Sequence, residues 1–259
     1  MFAQYPRINR PAALAFLLLP FTLSAQEKTS GTAAPKVSHP GTVGTKPTTK
    51  EHPKNEKRTR VEINTTLGKM VVELYNETPQ HRDNFIKLAK THYYDSLLFH
   101  RVIPDFMIQG GDPKSKTAAR DAMLGDGGPD YTIPAEFNKA FIHKKGALSA
   151  ARQSDQVNPE KRSSGSQFYI VQGNTYQASD LQTLVQRKSE MAPGKDHSYT
   201  PEQIKEYATM GGTPHLDGDY TVFGEVVEGL DVIDRIAAVP CDGQDRPMTD
   251  VRMWIRILK

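Results

Sequence analysis

Cysteine is almost absent from this chain of 259 residues: Cys241 stands alone. An intrachain disulfide and a cysteine metal cluster are therefore excluded, and so is dithiol redox work. The eight histidines are scattered and none sits in an H-E-x-x-H pair, which argues against a zinc hydrolase. No G-x-S-x-G elbow surrounds Ser164 or Ser166. Gly125-Asp-Gly-Gly128 lacks the Lys-Ser/Thr that completes a phosphate loop. Asp217, Asp219 and Glu228 have part of the spacing of a calcium loop, but Val222 stands where that loop needs glycine. The apolar run at residues 12–25 is interrupted by Pro20 and falls short of the ~20 residues that a membrane-spanning helix needs. Neither a metal nor an organic cofactor is expected.

What is present divides the chain into three. Arg7 and Arg10 precede the apolar run, and Ser24-Ala25 supplies small residues before Gln26. This is the pattern of a secretory signal peptide over residues 1–25. No cysteine follows the run, which argues against a lipidated N-terminus. Export, to a bacterial periplasm or beyond, is the expectation. Residues 26–58 are rich in Lys, Thr, Pro and Gly and poor in large apolar side chains, so they cannot bury enough surface to offset chain entropy. They are read as a disordered linker. That segment holds seven Lys and Arg against three Glu, so the net +3 of the chain belongs to its start and the remainder is acidic. Nothing in this balance argues for nucleic-acid binding, and no stable membrane insertion is expected after cleavage.

From residue 59 the pattern becomes that of a folded domain, and hydrophobics at 37% are ample for a core. Val61 and Ile63 alternate with polar neighbours, as do Met70, Val72 and Leu74 after a turn at Thr66-Leu-Gly-Lys69. Thr78-Pro79 opens a helix, with Thr78 as cap and Phe85, Leu88, Ala89 and His92 on one side. Residues 99–112 read as a hairpin broken at Pro104-Asp105; alternation puts Met107 and Gln109 on one face. Residues 114–130 read as loop, 146–151 and 167–171 as strands, and 152–164 as a further loop. Residues 174–214 hold two short helices, the second opened by the capping box Thr200-Pro-Glu-Gln203. A strand at 222–227, a helix at 230–238 and a strand at 251–258 complete the domain. By pattern alone this is a β-rich barrel or sandwich.

The string Phe99-His-Arg-Val-Ile-Pro-Asp-Phe-Met-Ile-Gln-Gly-Gly-Asp112 resembles the signature of the cyclophilin-type peptidyl-prolyl isomerases. Three further blocks match in order: Gly146-Ala-Leu-Ser-Ala-Ala151, Ser166-Gln-Phe-Tyr-Ile170 and Leu216-Asp-Gly-Asp-Tyr-Thr-Val-Phe-Gly224. The resemblance covers residues 59–259, with 174–214 and the long 152–164 loop as inserted segments. It implies a closed eight-stranded antiparallel barrel capped by two helices. It also implies acceleration of X–Pro bond rotation in exported polypeptides as they fold, by a protein acting as a monomer on proline-containing polypeptides. Carried over residue by residue, Phe106, Met107, Leu216 and Tyr169 form a proline pocket, Gln109 holds the substrate backbone, and Ala151 offers main-chain contacts. Arg101 supplies a permanently charged donor for the amide nitrogen of the twisted transition state. Family members often carry Phe at Tyr169, Trp at His215, His at Tyr220, Asn at Arg152 and Gly at Asp105. His215 and Tyr220 are read as rim and wall of the pocket. Members that bind the macrocycle cyclosporin tightly typically have the Trp. A proline-peptide binding or holdase module with incidental catalysis is the alternative. The apolar positions of the insertion suggest that it packs on the barrel.

Overall fold

The structure, a computed structural model, describes residues 57–259. The segment read as a signal peptide, and all of the segment read as a linker except Lys57 and Arg58, lie outside the described residues. Arg58 is already held against the folded domain: its guanidinium lies 4.5 Å from the centre of the Tyr75 ring and pairs with Glu73 and Glu77.

The domain contains β1 (Arg60–Thr65), β2 (Gly68–Leu74), α1 (Pro79–Lys90), β3 (Leu97–Ile103), β4 (Met107–Gly110), β5 (Thr132–Ile133), β6 (Ala147–Ala150), β7 (Ser163–Ser164), β8 (Phe168–Val171), α2 (Ala178–Met191), α3 (Pro201–Thr209), β9 (Val222–Glu228), α4 (Leu230–Ala237) and β10 (Arg252–Ile257). Eight strands close in the order β1-β10-β3-β4-β8-β6-β9-β2, every pair antiparallel. β5 and β7 make a separate two-stranded ribbon; β7 lies in the 152–164 segment read as a loop. Val61, Ile63, Met70, Val72, Phe99, Ile108, Phe168, Ile170 and Ile255 fill the interior, and side chains of α1 and α4 join the same cluster. The two helices thus cap the barrel by burying their apolar stripes in it.

β6 and β8 are buried along their whole length. Phe168 and Ile170 point into the barrel, while Tyr169 and Val171 belong to a second apolar cluster with Met107, Ala147 and Val222. Alternation therefore sends large side chains to both faces, because both are covered. That outer cluster, flanked by Phe106, Leu216 and Tyr220, underlies the site.

Two local expectations are corrected. Thr78 makes no side-chain cap to α1; Glu136 does so from a distant loop, accepting the backbone N–H groups of Gln80 at 3.1 Å and His81 at 3.0 Å. A full carboxylate at the positive end of the helix does what a hydroxyl would, with charge added. His92 does not share the buried face of α1: the helix stops at Lys90, and His92 is exposed with a left-handed φ of 58°. The insertion packs as its sequence suggests. Leu181 and Tyr207 are buried against Ile142, and both reciprocal bonds of the Thr200–Gln203 capping box form.

Candidate active site

β3 and β4 bring the signature side chains together. Arg101 sits directly opposite Gln109, and Ile103 opposite Met107. Phe99 and Arg101 are two residues apart and in a regular strand would face the same way. Phe99, however, is in the barrel core, whereas Arg101 is exposed. The pairing slips between them, with His100 the extra residue. This bulge reverses the phase of the strand and turns Arg101 outward. At the far end of β4, Gly111 has a φ of 93°, and a Cβ there would lie 2.2 Å from the Ser166 carbonyl oxygen. No other residue type fits both the conformation and the contact.

The site is a cavity of about 160 Å³ lined by Arg101, Phe106, Met107, Gln109, Ala151, Arg152, Tyr169, Leu216 and Tyr220. His215 lies beside it, its ring stacked on Phe106 with centroids 5.7 Å apart and planes at 24°. Met107 and Tyr169 are buried beneath the opening, and Gln109 pairs in register with Tyr169 across β4 and β8.

Neighbours fix the polar groups. Gln167 Nε2 donates to the carbonyls of Gly125 at 2.9 Å and Gly127 at 2.7 Å. Its oxygen is then an acceptor, so Gln109 Nε2 donates to it at 3.1 Å. Gln109 Oε1 is left as the acceptor of that amide. The glycine loop is itself held by buried Asp112, whose carboxylate accepts the N–H groups of Gly125 at 2.6 Å and Gly127 at 3.2 Å. Arg101 meets Asp245 through Nε at 3.5 Å, with both side chains nearly half exposed. Such a pair is weak, so the guanidinium can turn to a ligand. The second arginine, Arg152, is deeply set. Its Nε donates to the Asp219 carbonyl at 2.8 Å, and its guanidinium lies 4.3 Å from the centre of the Tyr220 ring. Sequence reasoning had it only as a departure from the family pattern. Its role in holding Tyr220 depends on a loop 67 residues away, for which no local signal exists.

Burial pushes the Tyr169 hydroxyl well above the ordinary phenol range. Partial burial likewise lowers the pKa of His215 below the usual imidazole value, with His143 and Lys188 adding to the effect. Burial thus favours the neutral form of His215. The arrangement holds no activated nucleophile: it offers one mobile cation, one amide acceptor and an apolar hollow. The three carboxylates that mimic a calcium loop do not converge, since Asp217 bonds His143, Asp219 pairs with Lys161, and Glu228 pairs with Arg60. Among the described residues no helix is long and apolar enough to cross a membrane.

Residues 60–255 match the family model described as cyclophilin type peptidyl-prolyl cis-trans isomerase/CLD. A Staphylococcus saprophyticus protein described as a peptidyl-prolyl cis-trans isomerase is 36% identical over 190 residues, covering 73% of this chain and 86% of the relative. A Streptococcus pyogenes protein described as a bifunctional phosphatase/peptidyl-prolyl cis-trans isomerase is 37% identical over 195 residues; the match covers 74% of this chain but 37% of that protein. Among solved structures, a cyclophilin-type isomerase of Cryptosporidium parvum superposes with a TM-score of 0.54 at 22% identity, covering 78% of this chain and 98% of that one.

Proposed function

The chain belongs to the cyclophilin-type peptidyl-prolyl cis–trans isomerase family, and on that premise we propose that it accelerates rotation about X–Pro bonds in exported polypeptides as they fold. One observation carries the reading: Arg101 and Gln109 face each other across β3 and β4 at the edge of a hollow floored by Met107 and Tyr169.

Amide resonance sets a barrier of about 18–20 kcal/mol to this rotation. At the twisted transition state resonance is lost and the nitrogen regains a lone pair. A donor aimed at that nitrogen therefore binds the transition state more tightly than either planar isomer, which is what catalysis requires. Arg101 is that donor. Its charge is permanent, and a partner as loose as Asp245 costs little to leave. The prolyl ring enters among Phe106, Met107, Tyr169 and Leu216, where its CH₂ groups lose water. Gln109 Oε1 accepts a substrate N–H, fixing the chain on one side of the bond while the other turns. Ala151 offers main-chain groups along the same edge, and Tyr220 closes the far wall. Neither a covalent intermediate nor a cofactor enters this scheme.

A protease-coupled isomerisation assay on a proline tetrapeptide tests the reading. A rate that rises in proportion to protein concentration supports an isomerase; peptide binding without acceleration would instead make the domain a proline-peptide binding module. Export rests on residues 1–25. N-terminal sequencing of the protein recovered outside the cytoplasm is expected to begin at Gln26, and an intact Met1 would overturn that part.

A further inference from the structure

The inserted helices reach the pocket through a row of hydrogen bonds. Tyr207, on α3, is fully buried, and its hydroxyl donates to Asp217 Oδ2 at 2.5 Å. The hydroxyl of Tyr199, just before α3, shares its one proton between the same oxygen at 2.9 Å and the Pro214 carbonyl at 3.0 Å. Asp217 Oδ1 accepts the backbone N–H of His143 at 2.8 Å and lies 2.7 Å from its ring Nδ1. His143 is wholly buried, and its Nε2 lies 3.0 Å from the Tyr169 hydroxyl.

The protons follow from the chemistry at the two ends. A carboxylate only accepts, so Nδ1 carries the proton. Tyr169 keeps its own proton because burial disfavours the phenolate. Its hydroxyl is therefore a neutral partner for His143 Nε2, and the row runs unbroken from Tyr207 to Tyr169. Burial alone would raise the Asp217 pKa, but the bonds from His143 and Tyr207 hold it below the ordinary carboxylate value. The rings are packed as well as bonded. His143 stacks on Tyr169 with centroids 6.1 Å apart and planes at 13°, and both meet Tyr220 edge-on. Tyr169 and Tyr220 are the floor and wall of the cavity, so displacing His143 disturbs both.

We propose that Asp217 and His143 are positioning residues through which the insertion sets the tilt and depth of the Tyr169 ring, and with them how tightly the pocket closes on a prolyl ring. The identity of that ligand rests on the isomerase reading; the mechanical link does not. A phenylalanine at position 169 would be held by packing alone. The hydroxyl of Tyr169 gives the insertion a grip on the pocket floor, from a helix that does not itself line the cavity. Asp217 also follows Leu216 in the chain, so a change at α3 has a second possible route to the pocket, through the backbone. The test must separate the two.

Tyr199→Phe/Tyr207→Phe removes both donors to Asp217 while keeping the rings; Tyr207→Phe alone serves if the double variant does not fold. Each is made in the native chain and in a Tyr169→Phe background. In the native chain KM for a proline peptide is expected to rise roughly three- to tenfold, the scale of one hydrogen bond, while kcat stays within about twofold. In the Tyr169→Phe background the same change should leave KM unmoved. A lowered melting temperature with unchanged KM would make the row merely structural and overturn the proposal. An equal rise in both backgrounds would also overturn it, by placing the coupling in the Leu216 backbone. NMR of ¹³C-labelled tyrosine rings supplies a readout independent of turnover. If the native protein accelerates no proline peptide, the isomerase reading fails, and the Tyr169 ring signal decides the link: a shift in Tyr207→Phe supports it, and an unmoved signal overturns it.

Discussion

His100 and Arg101 are neighbours on β3 with opposite environments. The bulge leaves His100 buried beside Arg101, which is exposed. Burial, only partly opposed by Asp112, pushes its pKa down to about 4. The unfolded chain binds a proton at this residue below about pH 6.5, and the folded chain does so only below about 4. Stability therefore falls as the pH drops through that window, by about 3 kcal/mol from this residue at the scale of 1.36 kcal/mol per pH unit. Urea unfolding of the native chain and His100→Phe between pH 7 and 4 checks this: the variant should show the shallower dependence. At the rim, His215 offers less apolar area than an indole. His215→Trp is expected to tighten cyclosporin binding roughly tenfold, about 1.4 kcal/mol, with less effect on turnover. Calorimetric titration of both forms checks it, and no gain would show that this position does not decide sensitivity.

The strands and the inserted helices were legible because their signals are local. Alternation marked Val61, Ile63, Met70 and Val72, and the four residues from Thr200 contain a complete capping box. β6 and β8 were read as strands, but burial of both their faces depends on elements packed from far along the chain. What the sequence hid were partnerships across long separations. The cap of α1 comes from Glu136, 55 or 56 residues away, and His143 meets Asp217 and Tyr169 at separations of 74 and 26. The outward turn of Arg101 depends on strand pairing, which no local pattern encodes. Glu136 also accepts from the His81 ring at 2.6 Å, and that ring bonds Ser163 at 2.9 Å. Glu136→Ala thus removes a helix cap and strands a buried imidazole. The expected loss is roughly 2–3 kcal/mol, measured by urea denaturation at pH 7.

On the scale of the whole molecule, the chain joins a basic start to an acidic remainder that contains the barrel. The barrel places its site on the outer face, where β3, β4, β6, β8 and β9 carry a second apolar cluster outside the first. This division lets the inner core hold the strands in place while the outer one stays partly open to a ligand. Arg101 stands at the edge of that opening, nearly half exposed, so its removal should barely change stability. The central claim is that its donor stabilises the twisted amide, and kcat/KM for a proline tetrapeptide, compared between the native chain and Arg101→Ala at equal melting temperature, tests it most directly. The account expects a fall of roughly 10²–10³-fold, the scale for losing one transition-state donor. Native turnover in the folded variant would contradict it.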